Sequence, residues 1–347
     1  MNPTPTSARR FPLQHLATAA ALACGTLLTA CGGGGGSDTA PTTPPASLSQ
    51  PDATADAANA ASTGTDTASG MDTVLDTTAT LAQTVKQPAA AGSASDRMHA
   101  LAAGSSLTNV TVACAGGGTA TLSITGAGAP VELDGQLDAG EHYAVTYAQC
   151  TGQAGYAQLN GSVAMDVVSA DQTTSPTSLS VNLTVTGLAL TLPAGTATLD
   201  GTAAISRAVA AADGTTTTTS SITVPSATLT TAFNARSGSF TLSGLSATRT
   251  VTSVAGVATA SKYDGHHTLS GTANGRTFSM AVATDGNVSY DATGALVAGQ
   301  WTVVRPDATI VAVVANGTVV ITVDDGNDGT IDHTWTFPTA QLNAAAG

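Results

Sequence analysis

Oxygen donors gather in one stretch of the chain, Asp324, Asp325, Asn327, Asp328 and Asp332, within the run Asp-Asp-Gly-Asn-Asp-Gly-Thr-Ile-Asp. Oxygens at alternate loop positions with a glycine at the sharp bend are what a Ca²⁺ ion requires, and counting from Asp324 puts Asp328 at position 5 and Gly329 at position 6. Asp324, Asn327, Asp328 and Asp332 are therefore candidate Ca²⁺ ligands. Position 3 is Gly326 and position 12 is Trp335, where such loops carry a ligand and a glutamate, so a solvated hairpin turn competes with the metal reading. His266 and His267 are neighbours on an expected strand and point to opposite faces; His142 or His333 would have to join one of them from another strand to hold a transition metal. Gly-x-Ser-x-Gly, His-Glu-x-x-His, a P-loop and a helix-opening Gly-x-Gly-x-x-Gly are all missing from the sequence. Carboxylate pairs of the glycosidase type need no local motif and stay open, but only Trp301 and Trp335 could serve as sugar platforms, and both read first as core anchors. No catalytic residue is assigned, and the expectation is a protein that is not an enzyme.

The cysteines are more informative. Arg9 and Arg10 precede an apolar stretch from Phe11 to Ala30, broken by Gln14 and His15, with small residues at its end. This is the layout of an export signal, and it is short for a membrane span, which needs roughly 20 apolar residues. Leu28-Thr29-Ala30-Cys31 resembles the lipobox of bacterial lipoproteins at all four positions, whereas Cys24 has Ala21 where the leucine should stand. The resemblance implies removal of residues 1–30, a diacylglyceryl thioether on Cys31 and acylation of the new amine. Two or three chains on one residue make a stable anchor. Gly32, in place of Asp, is similar to outer-membrane cargo; which membrane face carries the domain is left open.

Cys114 and Cys150 are the pair that remains, and in an exported chain they read as a disulfide rather than two buried thiols. It would close a loop of about 37 residues and stabilise by about 4 kcal/mol on the chain-entropy model. The segment from Cys114-Ala-Gly-Gly-Gly-Thr through Leu137-Asp-Ala-Gly and Cys150 to Leu159-Asn-Gly-Ser resembles a Cys-flanked unit of uncharacterised proteobacterial β-rich lipoproteins. That resemblance covers about fifty residues and implies no activity.

The 347 residues carry 23 acidic and 10 basic side chains, a net charge of −13, which repels a phosphate backbone and excludes nucleic-acid partners. Glycine, at 37 residues, outnumbers the 12 aromatics threefold, as in Thr/Ala/Gly-rich exported β proteins. Glu occurs only at Glu132 and Glu141 and Lys only at Lys86 and Lys262, so the charges that coat exposed helices are missing and an α-bundle is out.

Residues 31–70 are, after Cys31, almost wholly Gly, Ala, Thr, Pro, Ser and Asp with Leu48 as one large apolar residue, which predicts a disordered linker. Residues 71–104 predict a short helical segment, with Met71, Val74, Leu75, Leu81 and Val85 at helical spacing, Asp72 as cap and Pro88 as stop; a second weak stretch covers Asp96 to Ala103. From residue 105 to 347 the period is two: Tyr143, Val145 and Tyr147, then Val163, Met165 and Val167, alternate with polar or small residues, a half-buried antiparallel pattern. Asp213-Gly214, Asn274-Gly275 and Asn316-Gly317 are hairpin turns between such runs. The alternation slips phase at Gly187 and at Gly244, the signature of bulges that curl a sheet. Leu-x-Gly recurs at Leu133, Leu159, Leu199, Leu242 and Leu269, too unevenly for a solenoid, and reads as strand grammar.

The expected fold class is mainly β: a curved antiparallel meander, barrel-like or a sandwich, after a disordered N-terminal tether with one or two short helices before it. One β domain suffices, though a split near Pro193 or Pro225 is open. The expected function is a lipid-anchored outer-membrane protein with a non-catalytic binding or structural β domain. Its partners would be the membrane, through the anchor, and an envelope protein or apolar ligand; Ca²⁺ is the one candidate cofactor, and the oligomeric state is left open. The alternatives are a carrier of a lipid or other apolar small molecule in a curved-sheet cavity, and a Ca²⁺-dependent adhesin or hydrolase.

Overall fold

The computed structural model describes residues 47–86 and 106–345, apart from 115, 127–130, 133, 152–157, 193–194, 234–235 and 274–275. Cys31, the leader, the stretch Asp96 to Ala103 and the Asn274-Gly275 turn lie outside the described residues. A long helix α1, Gln50–Lys86, comes first. Fifteen strands follow: β1 Ser106–Ala113, β2 Gly117–Thr125, β3 His142–Thr151, β4 Gln158–Asp171, β5 Thr177–Leu192, β6 Gly195–Ala212, β7 Thr215–Phe233 and β8 Arg236–Val254. The chain continues with β9 Val257–Ala273, β10 Arg276–Thr284, β11 Val288–Asp291, β12 Leu296–Val304, β13 Ala308–Ala315, β14 Thr318–Asp325 and β15 His333–Pro338, and closes on a short helix α2, Thr339–Ala345.

All the ladders are antiparallel and the strands pair in chain order, with β11 branching off to bridge β12 and β9. The expected meander is therefore what forms. It is one sheet over one core, without a break near Pro225, and among the described residues no ladder joins β1 to β15. The large apolar residues of most strands face one side, for example Val181, Leu183 and Val185 in β5, while the other face there is Ser180, Asn182 and Thr184; β13 departs from this, with Val311 and Val313 on its outer face. That is the reverse of a transmembrane barrel, whose outward residues are apolar. No helix among the described residues is long and apolar enough to cross a membrane.

The bulges form a crease. Register shifts fall at Asn160/Ser162, Val185/Leu188, Gly201/Ala204 and Ser243/Ser246, which are neighbours from β4 across to β9. Gly187 and Gly244 adopt φ of 53° and 60°, and a Cβ on Gly161 would lie 2.2 Å from the Gly187 carbonyl oxygen, so the fold needs glycine there. Three of the recurring Leu-x-Gly units, at Leu159, Leu199 and Leu242, put their glycine on this line and their leucine on the buried face.

On the concave face lies α1, and here three expectations are corrected. Residues 50–70 are helical rather than a linker, and the helix is 37 residues long rather than a short segment starting at 71. Its cap is Ser49, whose hydroxyl accepts from the Asp52 amide at 3.4 Å, not Asp72, which is buried in mid-helix. The chain of contacts along α1 runs backwards through the sheet: Asp56 meets Arg305 of β12–β13, Thr65 meets Tyr290 of β11, Asp72 meets Arg249 of β8 and Arg207 of β6, and Lys86 meets Glu141 before β3. The helix, about 55 Å long, thus crosses the strands as a spine, and the strands bend over it at the crease.

Candidate functional site

Small residues let the helix sit this close. Ala53, Ala57, Ala68 and Ala82 are fully buried, and a Cβ on Gly64 would lie 2.3 Å from the Tyr263 hydroxyl of β9. Thr54, Thr63, Thr65, Thr73, Thr77 and Thr84 each donate their hydroxyl to the carbonyl four residues back, so a Thr-rich helix can be covered without stranding those donors. Trp301, fully buried, donates its indole N–H to the Ala57 carbonyl at 2.9 Å.

Ion pairs mark the seam at three levels. Near the N-terminus Asp56 pairs with Arg305; burial holds its carboxyl above the ordinary range although Arg305 opposes this. In the middle Asp72 takes Arg207 at 2.7 Å and Arg249 at 3.1 Å, and Asp76 also takes Arg207. At the C-terminus the Lys86 ammonium, buried completely, donates to Asp138 at 2.6 Å and to both Glu141 oxygens at 2.8 and 2.9 Å. Burial alone would push the Lys86 ammonium down, but the hydrogen bonds to Asp138 and Glu141 outweigh it and hold it above its usual value. Tyr143 donates to the same Glu141, and its phenol is pushed up by burial and by that bond.

Between the middle and N-terminal levels a cavity of about 60 Å³ separates α1 from β6–β9. Leu199, Leu229, Phe240, Leu242 and Leu269 wall it on the sheet side; Thr63, Asp66 and Thr67 rim it on the helix side, above Met71. Asp66 is half-buried there and makes no hydrogen bond or ion pair among the described residues. Burial pushes its carboxyl up to about 7, against the weaker pull of Arg249. Against Gly64, Tyr263 and His267 are buried with their polar side-chain atoms unpaired among the described residues, and burial next to His266 drops the His267 imidazole to about 4. His266 faces solvent, so the adjacent histidines do point to opposite sides, but His267 belongs to the core rather than the surface.

The residues singled out from the sequence are placed separately. Cys114 and Cys150 are bonded, with Cα atoms 5.4 Å apart, tying the end of β1 to β3. In the acidic turn the oxygens already accept from backbone amides: Asp324 from Asp328 and Gly329 at 3.0 and 2.9 Å, Asp328 from Thr330 at 2.8 Å, and Asp332 from Asp325 at 2.8 Å. Asn327 accepts from Thr309 and donates to the Arg305 carbonyl. Among the described residues no three His, Cys, Asp or Glu side chains gather as a metal would need. Asp325 instead receives the Ser47 hydroxyl and the Leu48 amide, holding the entry to α1. Trp335 stacks on His333 at 5.2 Å while Trp301 is spent on α1, so the two tryptophans have different partners. Sequence reasoning passed over Asp66; the signal near it was the recurrence of Leu-x-Gly, since Leu199, Leu242 and Leu269 line the cavity. Compared with family models, curated proteins and solved structures, the chain gives no match.

Proposed function

We propose that the chain is a lipid-anchored protein of a Gram-negative envelope, held in the outer membrane through Cys31, whose β domain acts without catalysis, by binding or as a structural element. The observation that carries this reading is the four-residue match Leu28-Thr29-Ala30-Cys31 at the end of a leader-like stretch. Three features support it. The outward face of the sheet is polar, which suits water and leaves membrane attachment to acyl chains. The Cys114–Cys150 bond suits an oxidising compartment. The buried charges Asp56, Asp72, Glu141 and Lys86, with the half-buried Arg207, are engaged in holding α1 to the sheet. Cys31 stands sixteen positions before Ser47, which among the described residues is the first bonded to the sheet, so the anchor would lie within about 55 Å of the domain. Metabolic labelling with an alkyne palmitate analogue should mark the wild type and not Cys31→Ser; equal labelling of the two would refute the anchor.

A second reading, a carrier for an apolar molecule, is favoured by the leucine-walled cavity beside Asp66. The helix occupies most of the concave face, so the cargo would be small. Native mass spectrometry of protein taken from its own envelope should show a co-purifying mass, and a clean apo mass counts against it.

A further inference from the structure

We infer that the cavity between α1 and β6–β9 binds a short primary alkylammonium, with Asp66 as its counter-ion and the leucine wall taking its chain. The inference rests on the carrier reading and names its ligand class. Asp66 stands half-buried on the rim of an apolar cavity with no hydrogen bond or ion pair among the described residues, which leaves its carboxylate oxygens available to a donor held over the leucine wall. Arg249 gives Asp66 a weaker electrostatic pull but no hydrogen bond, since its guanidinium is bonded to Asp72. An ammonium is a donor-only group with three N–H bonds, and a carboxylate is acceptor-only, so the two complement each other. The rim supplies further acceptors in the hydroxyl oxygens of Thr63 and Thr67, and Thr63 has already donated its own proton to the Asn59 carbonyl at 2.7 Å. The net charge of −13 draws cations to the molecule and turns carboxylates away.

Size limits the chain. A cavity of about 60 Å³ takes a short alkyl chain and is too small for a fatty acyl tail. Each methylene placed against Leu199, Leu229, Phe240, Leu242 and Leu269 should tighten binding about fourfold, and the gain should stop when the cavity is full.

The test is calorimetric titration of the full protein with hexylammonium, 1-hexanol and hexanoate at pH 8. Hexylammonium is expected to bind about tenfold or more tighter than hexanol, the difference between a charge-assisted and a neutral hydrogen bond, and hexanoate weakest. Asp66→Asn should erase the preference for the ammonium and keep hexanol binding. This variant is expected to fold, because it removes a charge that no bond compensates. Leu242→Trp should fill the cavity and abolish both. Hexanol binding as tightly as hexylammonium, or an Asp66→Asn protein that keeps the preference, overturns the headgroup assignment and leaves the carrier reading standing. No binding of any of the three overturns both.

Discussion

Replacing Lys86 by Met tests whether the C-terminal end of α1 is welded into the sheet. Met keeps the length and helix propensity of the side chain, so the change isolates the charge. In the native protein the ammonium is fully buried against Glu141, itself nearly covered, and against Asp138, which is almost half exposed. Removing one partner of a buried pair leaves an uncompensated charge and costs about 3–5 kcal/mol. At roughly 2–4 °C per kcal/mol for a domain of this size, the melting point should fall by about 6–20 °C. Urea denaturation read by far-UV circular dichroism gives the free energy, and amide exchange should show protection lost first over the last turns of α1. The double variant Lys86→Met/Glu141→Gln removes the stranded charge while leaving Tyr143 an acceptor, and should recover at least half of the loss. A loss below about 1 kcal/mol with no coupling between the two sites would be the behaviour of a surface pair and would refute the buried seam.

Asp66 and His267 act in opposite senses on pH. The Asp66 carboxyl, raised to about 7, favours the fold while protonated; that stability is full below about 4 and is lost as pH rises through 7, by up to about 4 kcal/mol less what the cavity mouth relieves. The His267 imidazole, lowered to about 4, favours the fold while neutral, and its stability of up to about 3 kcal/mol is lost as pH falls from 6.5 towards 4. Asp66→Asn should therefore gain over wild type at pH 8 and His267→Phe at pH 5 in urea titrations; the opposite ordering would contradict both burials. Gly64→Ala should cost about 1–3 kcal/mol, since its Cβ meets the Tyr263 hydroxyl, and Tyr263→Phe should be neutral or stabilising and restore part of the loss; additive effects by thermal melting would count against the close approach. Reduction of Cys114–Cys150 should cost about 2–5 kcal/mol, measured as a denaturation shift with and without reductant. Because the acidic-turn oxygens already accept from amides, millimolar Ca²⁺ should leave the melting point unchanged; a rise that Asp328→Ala removes would establish the site.

The strands were legible because their signal is local. Alternation, turn dipeptides and a phase slip at a glycine depend on residues a few positions apart, and Asp213-Gly214 and Asn316-Gly317 do adopt the positive φ that such turns need. The helix was misread for the opposite reason. Residues 50–70 lack large apolar side chains because they lie against a sheet at close range, where Ala53, Ala57 and Gly64 fit and Leu would not. Their hydroxyls are satisfied inside the helix and their buried acid, Asp56, is neutralised by Arg305 from the β12–β13 turn 249 positions away, as Asp72 just beyond them is by Arg207 and Arg249. A composition that signals disorder in a segment standing alone becomes a core element once a sheet supplies the counter-charges. Asp66 was hidden in the same way, since only the crossing of helix and strands brings it to Leu199, Leu242 and Leu269.

The most direct test of the proposed attachment is the intact mass of the protein recovered from its own cells. A chain that starts at Cys31, carries two or three fatty acyl groups on that residue and partitions with the outer membrane is the predicted result. A soluble chain beginning at Met1 without acyl groups would contradict it.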